Sequence, residues 1–333
     1  MIKIGVLGAG HLGKIHLKCI QASDRLELIG FYDADVDNAQ KVAEALGIRA
    51  FETADALIDA VDAVDIVTPT IYHFDLAQKA VLKGKHIFIE KPMTHTIEEA
   101  EKLIQIVNQT AVKVQIGHVE RFNPAFLSLG DMRISPMFVE AHRLATFNPR
   151  GTDVSVVLDL MIHDIDLILH LVDSEVKNIQ ASGVAVVSET PDIANARIEF
   201  ENGCVANLTA SRMSLKQMRK IRFFQKDAYI SLDFLEKNAQ IIRLFDKKDT
   251  TDANDEQLSG ETNFVELETA RGTKLIDIQM PEPLKVNAIQ MELETFAESI
   301  RDNKPTRVTI QDGYKALKVA HRIIAEIGDS TLS

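Results

Sequence analysis

The stretch Met1-Ile-Lys-Ile-Gly-Val-Leu-Gly-Ala-Gly-His-Leu-Gly13 joins an apolar strand to a glycine-rich turn and the start of a helical pattern. In such a turn the first glycine permits the sharp bend, the second lets a pyrophosphate approach the backbone, and the third lets the helix pack closely on the strand. The helix N-terminus then faces the phosphates. We therefore predict a dinucleotide site formed here by Gly8, Gly10, His11, Leu12 and Gly13.

An acidic residue suited to the same ligand ends the next apolar strand. Leu26-Glu-Leu-Ile-Gly-Phe-Tyr32 leads to Asp33, twenty residues past Gly13. A carboxylate there accepts a hydrogen bond from the 2′-hydroxyl of the adenosine ribose and repels the 2′-phosphate of NADP. Since Ala34 and Asp35 supply no cation, we expect NAD as the cofactor and regard NADP as less favoured. The structural alternative is a glycine turn with Asp33 capping the next helix.

The composition is that of a globular protein and gives no sign of a polyanionic partner. The chain has 333 residues, 46% of them hydrophobic and 26% charged, and a formal net charge of -12. That charge argues against nucleic acid, whose phosphates require basic partners. The sequence contains no apolar run long enough for a membrane span, and its first residues enter a core strand, so we expect a cytoplasmic protein.

Two kinds of pattern divide the chain. Strands and helices alternate through the first third, as in a doubly wound parallel sheet, whereas one apolar helix and a long series of strands follow residue 120. We predict an α/β protein with an N-terminal Rossmann domain at 1–119 and a C-terminal α/β domain at 120–285. The second domain is expected to have an open, mainly antiparallel sheet for substrate binding and oligomerisation. Two helices in 286–333 are expected to pack back on the first domain.

The second sheet suggests self-association. One of its faces is expected to pack on the apolar helix, and the other to carry Ile198, Phe200, Phe223 and Phe224 or their neighbours. A bare apolar face of that size favours a partner. We therefore expect a homodimer or homotetramer through this sheet.

Lys91 follows a buried strand, His86-Ile-Phe-Ile-Glu90, at the sheet edge where α/β proteins bind ligands. An ammonium near a nicotinamide stabilises developing charge on a substrate oxygen. Lys91 is therefore the first catalytic candidate, and its alternative interpretation is an ordinary surface lysine.

A second candidate group lies on the apolar helix near 154–172. Asp159 and His163 are four residues apart, a spacing that places both on one helical face, so the carboxylate can orient an imidazole acting as general base. Asp164 and Asp166 crowd the imidazole with negative charge, which would raise its basicity. The alternatives are an ordinary hydrogen bond in a buried helix or a metal site at Asp159, His163 and Asp166. We expect no metal, because hydride transfer to NAD requires none.

These motifs run in one order along the chain: GAGHLG (8–13), Asp33, Thr68-Pro69, His73, Gly84-Lys-His86, Glu90-Lys91-Pro92 and Asp159-x-x-x-His163. The order resembles the Gfo/Idh/MocA family of sugar and cyclitol oxidoreductases over essentially the whole chain. The resemblance implies that Lys91, Asp159 and His163 form the catalytic group. It places Thr68, Pro69, His73, Glu90 and Lys91 on the cofactor side.

A further segment, Gly117-His-Val-Glu-Arg-Phe-Asn-Pro124, looks like family members that act on nucleotide sugars. Arg121, Asn123 and Arg212 are then candidate contacts for a pyrophosphate or sugar hydroxyls, or else turn and sheet residues. We expect an NAD(P)-dependent dehydrogenase acting on the CH–OH group of a sugar, nucleotide sugar or cyclitol. A glycosidase acting by transient oxidation and a non-catalytic NAD/sugar sensor are the alternatives.

Overall fold

The computed structural model describes residues 1–148, 154–246, 265–269 and 272–330. The chain forms two compact units. Unit 1 comprises Met1–Phe122 and Val286–Arg322, and unit 2 comprises Asn123–Lys285 and Ile323–Ser333. Unit 1 is therefore continuous in space but is made from two separate stretches of sequence.

Unit 1 contains a five-stranded parallel sheet of the doubly wound type, as predicted. Its strand order is β2-β1-β3-β4-β5, so the chain reverses direction across the sheet beside β1. The strands are β1 (Ile2–Leu7), β2 (Leu26–Tyr32), β3 (Ala63–Ile66), β4 (His86–Glu90) and β5 (Val114–Gly117).

Some helices of unit 1 begin at a capping side chain. Thr96 and Glu99 form a capping box, each side chain accepting a backbone N–H of the other residue, and Asp35 caps the helix after β2. The helices of this first stretch are α1 (His11–Gln21), α2 (Val36–Leu46), α3 (Ala54–Ala60), α4 (His73–Leu82) and α5 (Ile97–Val107), with 3-10 turns at Thr70–Tyr72 and Val119–Phe122.

Unit 2 contains a nine-stranded mixed sheet of order β13-β14-β12-β11-β10-β6-β9-β8-β7. Neighbouring strands are antiparallel except β6 and β9, which are parallel. The strands are β6 (Phe138–Leu144), β7 (Val176–Val184), β8 (Ile193–Phe200), β9 (Val205–Ser211), β10 (Met218–Phe224), β11 (Ala228–Asp233), β12 (Asn238–Asp246), β13 (Val265–Thr269) and β14 (Gly272–Gln279). The prediction of an open, mainly antiparallel sheet is confirmed.

The remaining helical segments are α6 (Pro124–Leu127), a π-helical turn (Val157–Met161), α7 (Ile162–Leu171), α8 (Ala288–Arg301) and α9 (Ile310–Ser330). Leu293 and Phe296 of α8 join the core of unit 1 with α1 and the sheet. No described helix has both the length and the apolar content that a bilayer span requires.

The prediction that Ile198, Phe200 and Phe223 form an apolar outer face of the second sheet is wrong. Ile198, Phe200 and Phe223 are buried inside unit 2, and only Phe224 is partly exposed. Side chains alternate along a strand, so the opposite face of β8 presents polar groups such as Arg197. Exposed apolar side chains lie instead on β12 to β14, at Leu244, Val265, Leu267 and Ile278.

Candidate active site

The glycine turn between β1 and α1 has the geometry that a dinucleotide needs. Gly8 has φ +99°, and a Cβ at this residue would lie 2.7 Å from the carbonyl oxygen of Val67. A Cβ at Gly13 would overlap the carbonyl oxygen of Gly8, whereas a Cβ at Gly10 would meet no atom within 4 Å. Gly8 and Gly13 are thus required by the turn, and Gly10 leaves open space at the N-terminus of α1, where a pyrophosphate binds.

The first residues of α1 offer backbone donors to that space. Gly10 is the N-cap residue and has no side chain to accept the N–H groups of the first turn. Those groups are therefore available to an anion. His11 is exposed and Leu12 is half-buried beside this turn.

Asp33 braces the glycine turn from the end of β2. Its Oδ2 accepts the N–H of Ala9 at 2.7 Å and Asn38 Nδ2 at 3.2 Å, and its Oδ1 accepts the N–H of Asp35 at 2.9 Å. A carboxylate offers about four acceptor sites, so these bonds leave capacity for a ribose hydroxyl. Lys14 donates to Asn38 Oδ1 at 3.2 Å and so brings a cation within two hydrogen bonds of Asp33.

His73 ties the end of β3 to the residues after β4. Its Nε2 lies 2.8 Å from the carbonyl oxygen of Thr68, and its Nδ1 lies 2.9 Å from that of Pro92. Burial lowers the pKa of His73, although the two carbonyl oxygens act in the opposite direction. His73 therefore holds two loops at the carboxyl edge of the sheet, with Pro69 exposed on one of them.

Lys91 follows β4 at this same edge and is half-buried. Its backbone N–H donates to Glu90 Oε2 at 3.1 Å. Glu90 lies over Gly117 of the neighbouring strand, where an added Cβ would be 2.7 Å from the Glu90 Oε1. The absence of a side chain at Gly117 thus makes room for Glu90, which is itself buried.

Three buried polar residues beside Glu90 were not identified from the sequence. His16 of α1 lies between Asp65 of β3 and Glu90, and Glu292 of α8 lies close to them. The available signal was weak: one histidine on the apolar face of α1, and one aspartate within the otherwise apolar strand Ala63–Ile66. His16, Glu90 and Glu292 are close enough to bind one metal ion together. Protonation of the same groups also accounts for their proximity, so we do not assign a metal site.

The catalytic candidates of unit 2 lie where a π-helical turn meets α7. Asp159 is in the π turn and His163 is in α7, and both side chains are half-buried. The single regular helix expected here is thus interrupted. In a π turn the backbone hydrogen bonds join residues five apart. Asp159 and His163, which are four residues apart, are therefore not separated by one regular α-helical turn. Turns of the π type often occur at functional sites.

Asp164 does not add an uncompensated charge beside His163. Its carboxylate accepts Arg143 Nη2 at 2.7 Å and Arg143 Nε at 3.1 Å, in a fork-shaped pair that is almost fully buried. The guanidinium of Arg143 therefore balances one of the two acids that we expected to crowd the imidazole. The pair also fixes α7 to β6.

The three candidates for substrate contact are buried. Arg121 lies 3.6 Å from Asp312, and Arg212 donates to the carbonyl oxygen of Val154. Asn123 caps α6 by accepting the N–H of Ala125 at 3.0 Å, and its Nδ2 donates to a backbone carbonyl at 3.1 Å. Each of the three therefore supports backbone or a charge within its own unit.

The parallel sheet and the glycine turn at its carboxyl edge are typical of a dinucleotide-binding protein. A family model described as "Oxidoreductase family, NAD-binding Rossmann fold" matches residues 2–118, and one described as "GFO/IDH/MocA C-terminal domain" matches residues 129–230. The chain belongs to the Gfo/Idh/MocA family of oxidoreductases.

Relatives of known activity agree with this assignment. UDP-N-acetylglucosamine 3-dehydrogenase of Acidithiobacillus ferrooxidans is 43% identical over 72% of this chain and 76% of its own length. A solved structure of UDP-N-acetylglucosamine 3-dehydrogenase from Acidithiobacillus ferrooxidans matches with a TM-score of 0.85 and 35% identity over 98% of both chains. The scyllo-inositol 2-dehydrogenase (NAD(+)) of Bacillus subtilis is 30% identical over 64% of this chain and 68% of its own length.

The chain is accordingly a dehydrogenase that uses a nicotinamide dinucleotide and acts on a CH–OH group. The named relatives are dehydrogenases, so the glycosidase and the sensor alternatives receive no support from them.

Proposed function

We propose that the protein is an NAD-dependent dehydrogenase that oxidises a secondary hydroxyl of a nucleotide sugar. The observation that carries this proposal is the match to UDP-N-acetylglucosamine 3-dehydrogenase, which extends over 98% of both chains. Free sugars and cyclitols are the second class of candidate substrate, because inositol dehydrogenases are also among the relatives.

Lys91 is the proposed group that stabilises charge on the substrate oxygen. In unit 1 the carboxyl ends of β1, β3 and β4 meet at one edge, and there they carry the glycine turn, the Thr68 loop and Lys91. Ligands of open α/β sheets bind at this edge. NAD, when bound, supplies the hydride acceptor, and a lysine beside it is suited to oxygen charge that develops in the transition state.

His163 is the proposed general base, and Asp159 is proposed to orient its imidazole. Both lie at the junction of the π turn and α7, and the buried Arg143–Asp164 pair fixes that helix. We propose that Arg121, Asn123 and Arg212 serve the substrate site indirectly, by holding the segments around them, since all three are buried.

The substrate class is tested by following NADH absorbance with a panel of UDP-sugars, free hexoses and inositols. We expect turnover with UDP-N-acetylglucosamine or a close analogue, and weaker turnover with inositols. If only inositols were turned over, the substrate would be a cyclitol and not a nucleotide sugar. The absence of turnover with every compound, despite tight NAD binding, would contradict the proposed activity.

Lys91→Met tests the catalytic assignment. We expect kcat to fall by about 10²- to 10³-fold, the usual effect of removing one group that stabilises oxyanion charge, with NAD affinity largely unchanged. Lys79→Met is the matched control, because Lys79 is an exposed lysine paired with Asp55. Retention of near-normal turnover by Lys91→Met would refute the role of Lys91.

NAD is proposed as the physiological cofactor in preference to NADP, because Asp33 lies at the end of β2. Calorimetry with both dinucleotides tests this preference. We expect tighter binding of NAD, and a smaller preference in Asp33→Asn, whose side chain no longer repels a 2′-phosphate. Equal affinity of the wild-type protein for the two dinucleotides would contradict the assignment.

We also propose a homodimer or homotetramer formed through the sheet of unit 2. Leu244, Val265, Leu267 and Ile278 support it, since all four are apolar and at least a third exposed on adjacent strands. An exposed group of this kind favours burial against a second copy. Light scattering should give the wild-type protein a mass that is a multiple of the chain mass. The double variant Leu267→Lys with Ile278→Lys should have a smaller mass, and a monomeric wild-type protein would exclude the assembly.

A further inference from the structure

The interior of unit 1 contains four titratable residues that we call the buried charge cluster: His16, Asp65, Glu90 and Glu292. His16 Nδ1 lies 2.8 Å from Asp65 Oδ2, and His16 Nε2 lies 3.3 Å from Glu90 Oε1. One potential ligand atom each of His16, Glu90 and Glu292 lies within 4.8 Å of the others. Three carboxyl groups therefore surround one imidazole.

Such a group is stable in the interior only if its charges are balanced. Ionised carboxylates cost several kcal/mol each on burial unless a cation or hydrogen bonds compensate them. Nδ1 of the imidazole is hydrogen-bonded to Asp65, and Nε2 faces Glu90 at ion-pair distance without the geometry of a hydrogen bond, so the carboxylates on either side suit a positively charged ring. Neither oxygen of the Glu292 carboxyl has a hydrogen-bond partner among the described residues, which suits a neutral acid.

The electrostatic surroundings of His16, Glu90 and Glu292 agree with this distribution of protons, whereas burial raises the pKa of Asp65 although His16 acts to lower it. Burial alone lowers the pKa of His16, but Asp65 and Glu90 outweigh it and raise the pKa well above its ordinary value. Burial acts to raise the pKa of Glu90, yet His16 and Lys91 reverse the effect and lower it. Burial, together with the charge of Glu90, raises the pKa of Glu292 well above its ordinary value.

Two further titratable groups lie near the cluster. Cys19 lies on α1 with His16, and burial raises the pKa of its thiol. Glu120 adds to the rise in the pKa of Glu292. Neither group supplies a cation, so the positive charges that act on Glu90 are the imidazolium of His16 and the ammonium of Lys91.

The cluster reaches the proposed catalytic lysine through Glu90. The second oxygen of Glu90, Oε2, accepts the backbone N–H of Lys91 at 3.1 Å. Gly117 leaves the space that Glu90 occupies. The direction in which the chain leaves β4, and with it the origin of the Lys91 side chain, thus depends on Glu90 remaining a hydrogen-bond acceptor.

We propose that His16 is a positioning residue of the dehydrogenase: an imidazolium between Asp65 and Glu90 that holds the Glu90 carboxylate on the backbone of Lys91, while Glu292 is a neutral acid. The inference rests on the proposed role of Lys91 for its kinetic consequence. The proposed protonation states and hydrogen bonds of the cluster do not depend on the role of Lys91.

The protonation pattern is tested by spectroscopy on the full chain without substrate. In ¹⁵N-labelled protein at pH 7.5 we expect both ring nitrogens of His16 to carry protons. Infrared spectra should contain a carbonyl band of a protonated carboxylic acid that disappears in Glu292→Gln. A His16 ring with one proton, or an unchanged carbonyl band in Glu292→Gln, would overturn the proposal, as would a stoichiometric metal ion detected by elemental analysis.

The link to Lys91 is tested with His16→Gln, which keeps a hydrogen-bond donor but removes the charge. Without the cation, the pKa of Glu90 rises, and the acid limb of the kcat–pH profile should move to higher pH. We expect kcat to fall by roughly 10- to 100-fold, as for a small displacement of a catalytic group, with little change in KM for NAD. Amide exchange at Lys91 should become faster.

Phe88→Leu is the matched control. The ring of Phe88 packs against that of His16, with centroids 5.9 Å apart, so this variant removes packing without removing charge. It should lose stability but keep the wild-type pH profile. If His16→Gln, like Phe88→Leu, loses stability but keeps the wild-type pH profile, the role of His16 is structural and the proposal fails.

A double-mutant cycle separates action through Glu90 from a general effect. Glu90→Gln should lower kcat, and adding His16→Gln to it should cost little more. Additive losses would overturn the proposed route. If the wild-type protein turned over no substrate at all, the proposed function would fail, while the spectra and the Lys91 amide exchange would still decide the state of His16.

Discussion

The buried pair of Arg143 and Asp164 permits a quantitative prediction about unit 2. The guanidinium Nη2 lies 2.7 Å from Oδ1, Nε lies 3.1 Å from Oδ2, and the two side chains are 3% and 4% exposed. Arg143→Met keeps much of the side-chain volume but removes the guanidinium that pairs with the buried carboxylate of Asp164.

The magnitude follows from the burial of both partners. Breaking a buried pair by removing one partner costs about 3–5 kcal/mol, because the remaining charge is uncompensated. For a unit of this size, about 1 kcal/mol corresponds to about 2–4 °C in Tm, so Arg143→Met should lower the Tm by roughly 6–20 °C. Replacing both partners, in Arg143→Met with Asp164→Leu, should restore most of the loss, because no charge is then left buried.

Thermal and urea unfolding followed by circular dichroism measure these effects. Arg222→Met is the control, since Arg222 pairs with Glu140 on the same sheet at 3.4 Å with side chains 42% and 35% exposed. An exposed pair contributes less than about 1 kcal/mol, so this variant should be close to wild type. If Arg143→Met and Arg222→Met had equal effects, or if the double variant were less stable than Arg143→Met, the reasoning from burial would be refuted.

Three other predictions concern the turn, a loop and a helix end. Gly10→Ala should leave the Tm unchanged but weaken NAD binding by about tenfold or more, which is about 1.4 kcal/mol, whereas Gly13→Ala should lower the Tm as well; calorimetry and thermal unfolding distinguish the two. Asp192→Asn should cost about 1–3 kcal/mol at pH 7, because one oxygen of the buried carboxylate accepts three backbone N–H groups at 2.7–3.1 Å. Burial acts to raise the pKa of Asp192, but these hydrogen bonds outweigh it and lower the pKa. The stabilisation is therefore complete above pH about 4 and is lost as the pH falls below that value. Urea unfolding should show the wild type and Asp192→Asn differing at pH 7 and converging at pH 3, and a constant difference would contradict this assignment. Thr96→Ala should cost about 1 kcal/mol through loss of the capping box, and an unchanged urea midpoint would show that this cap contributes nothing.

The parallel sheet of unit 1 was predictable because its signals are local. A buried strand, a glycine turn and a helix follow one another between residues 2 and 21, and the pattern repeats with clear polar breaks. Two elements lacked such signals. The α3 helix is only seven residues long, too short for a clear helical period, and the buried face of β6 contains the charged residue Arg143.

The buried charge cluster was not predictable for a different reason. His16, Asp65 and Glu292 come from three distant parts of the chain, so each looks like an isolated polar residue within its own segment. Their meaning depends on contacts that only the fold creates. The π turn at Val157–Met161 is similar, since an apolar helical pattern does not reveal one additional residue in a turn.

The return of the chain to unit 1 after unit 2 affects how that unit is completed. Leu293 and Phe296 of α8 fill the same core as Leu17 of α1, yet more than 270 residues separate them in sequence. During synthesis the glycine turn is therefore made long before the helix that completes its hydrophobic support. A cofactor site with its complete hydrophobic support can form only after α8 has been made, and the strands of unit 2 are synthesised in between.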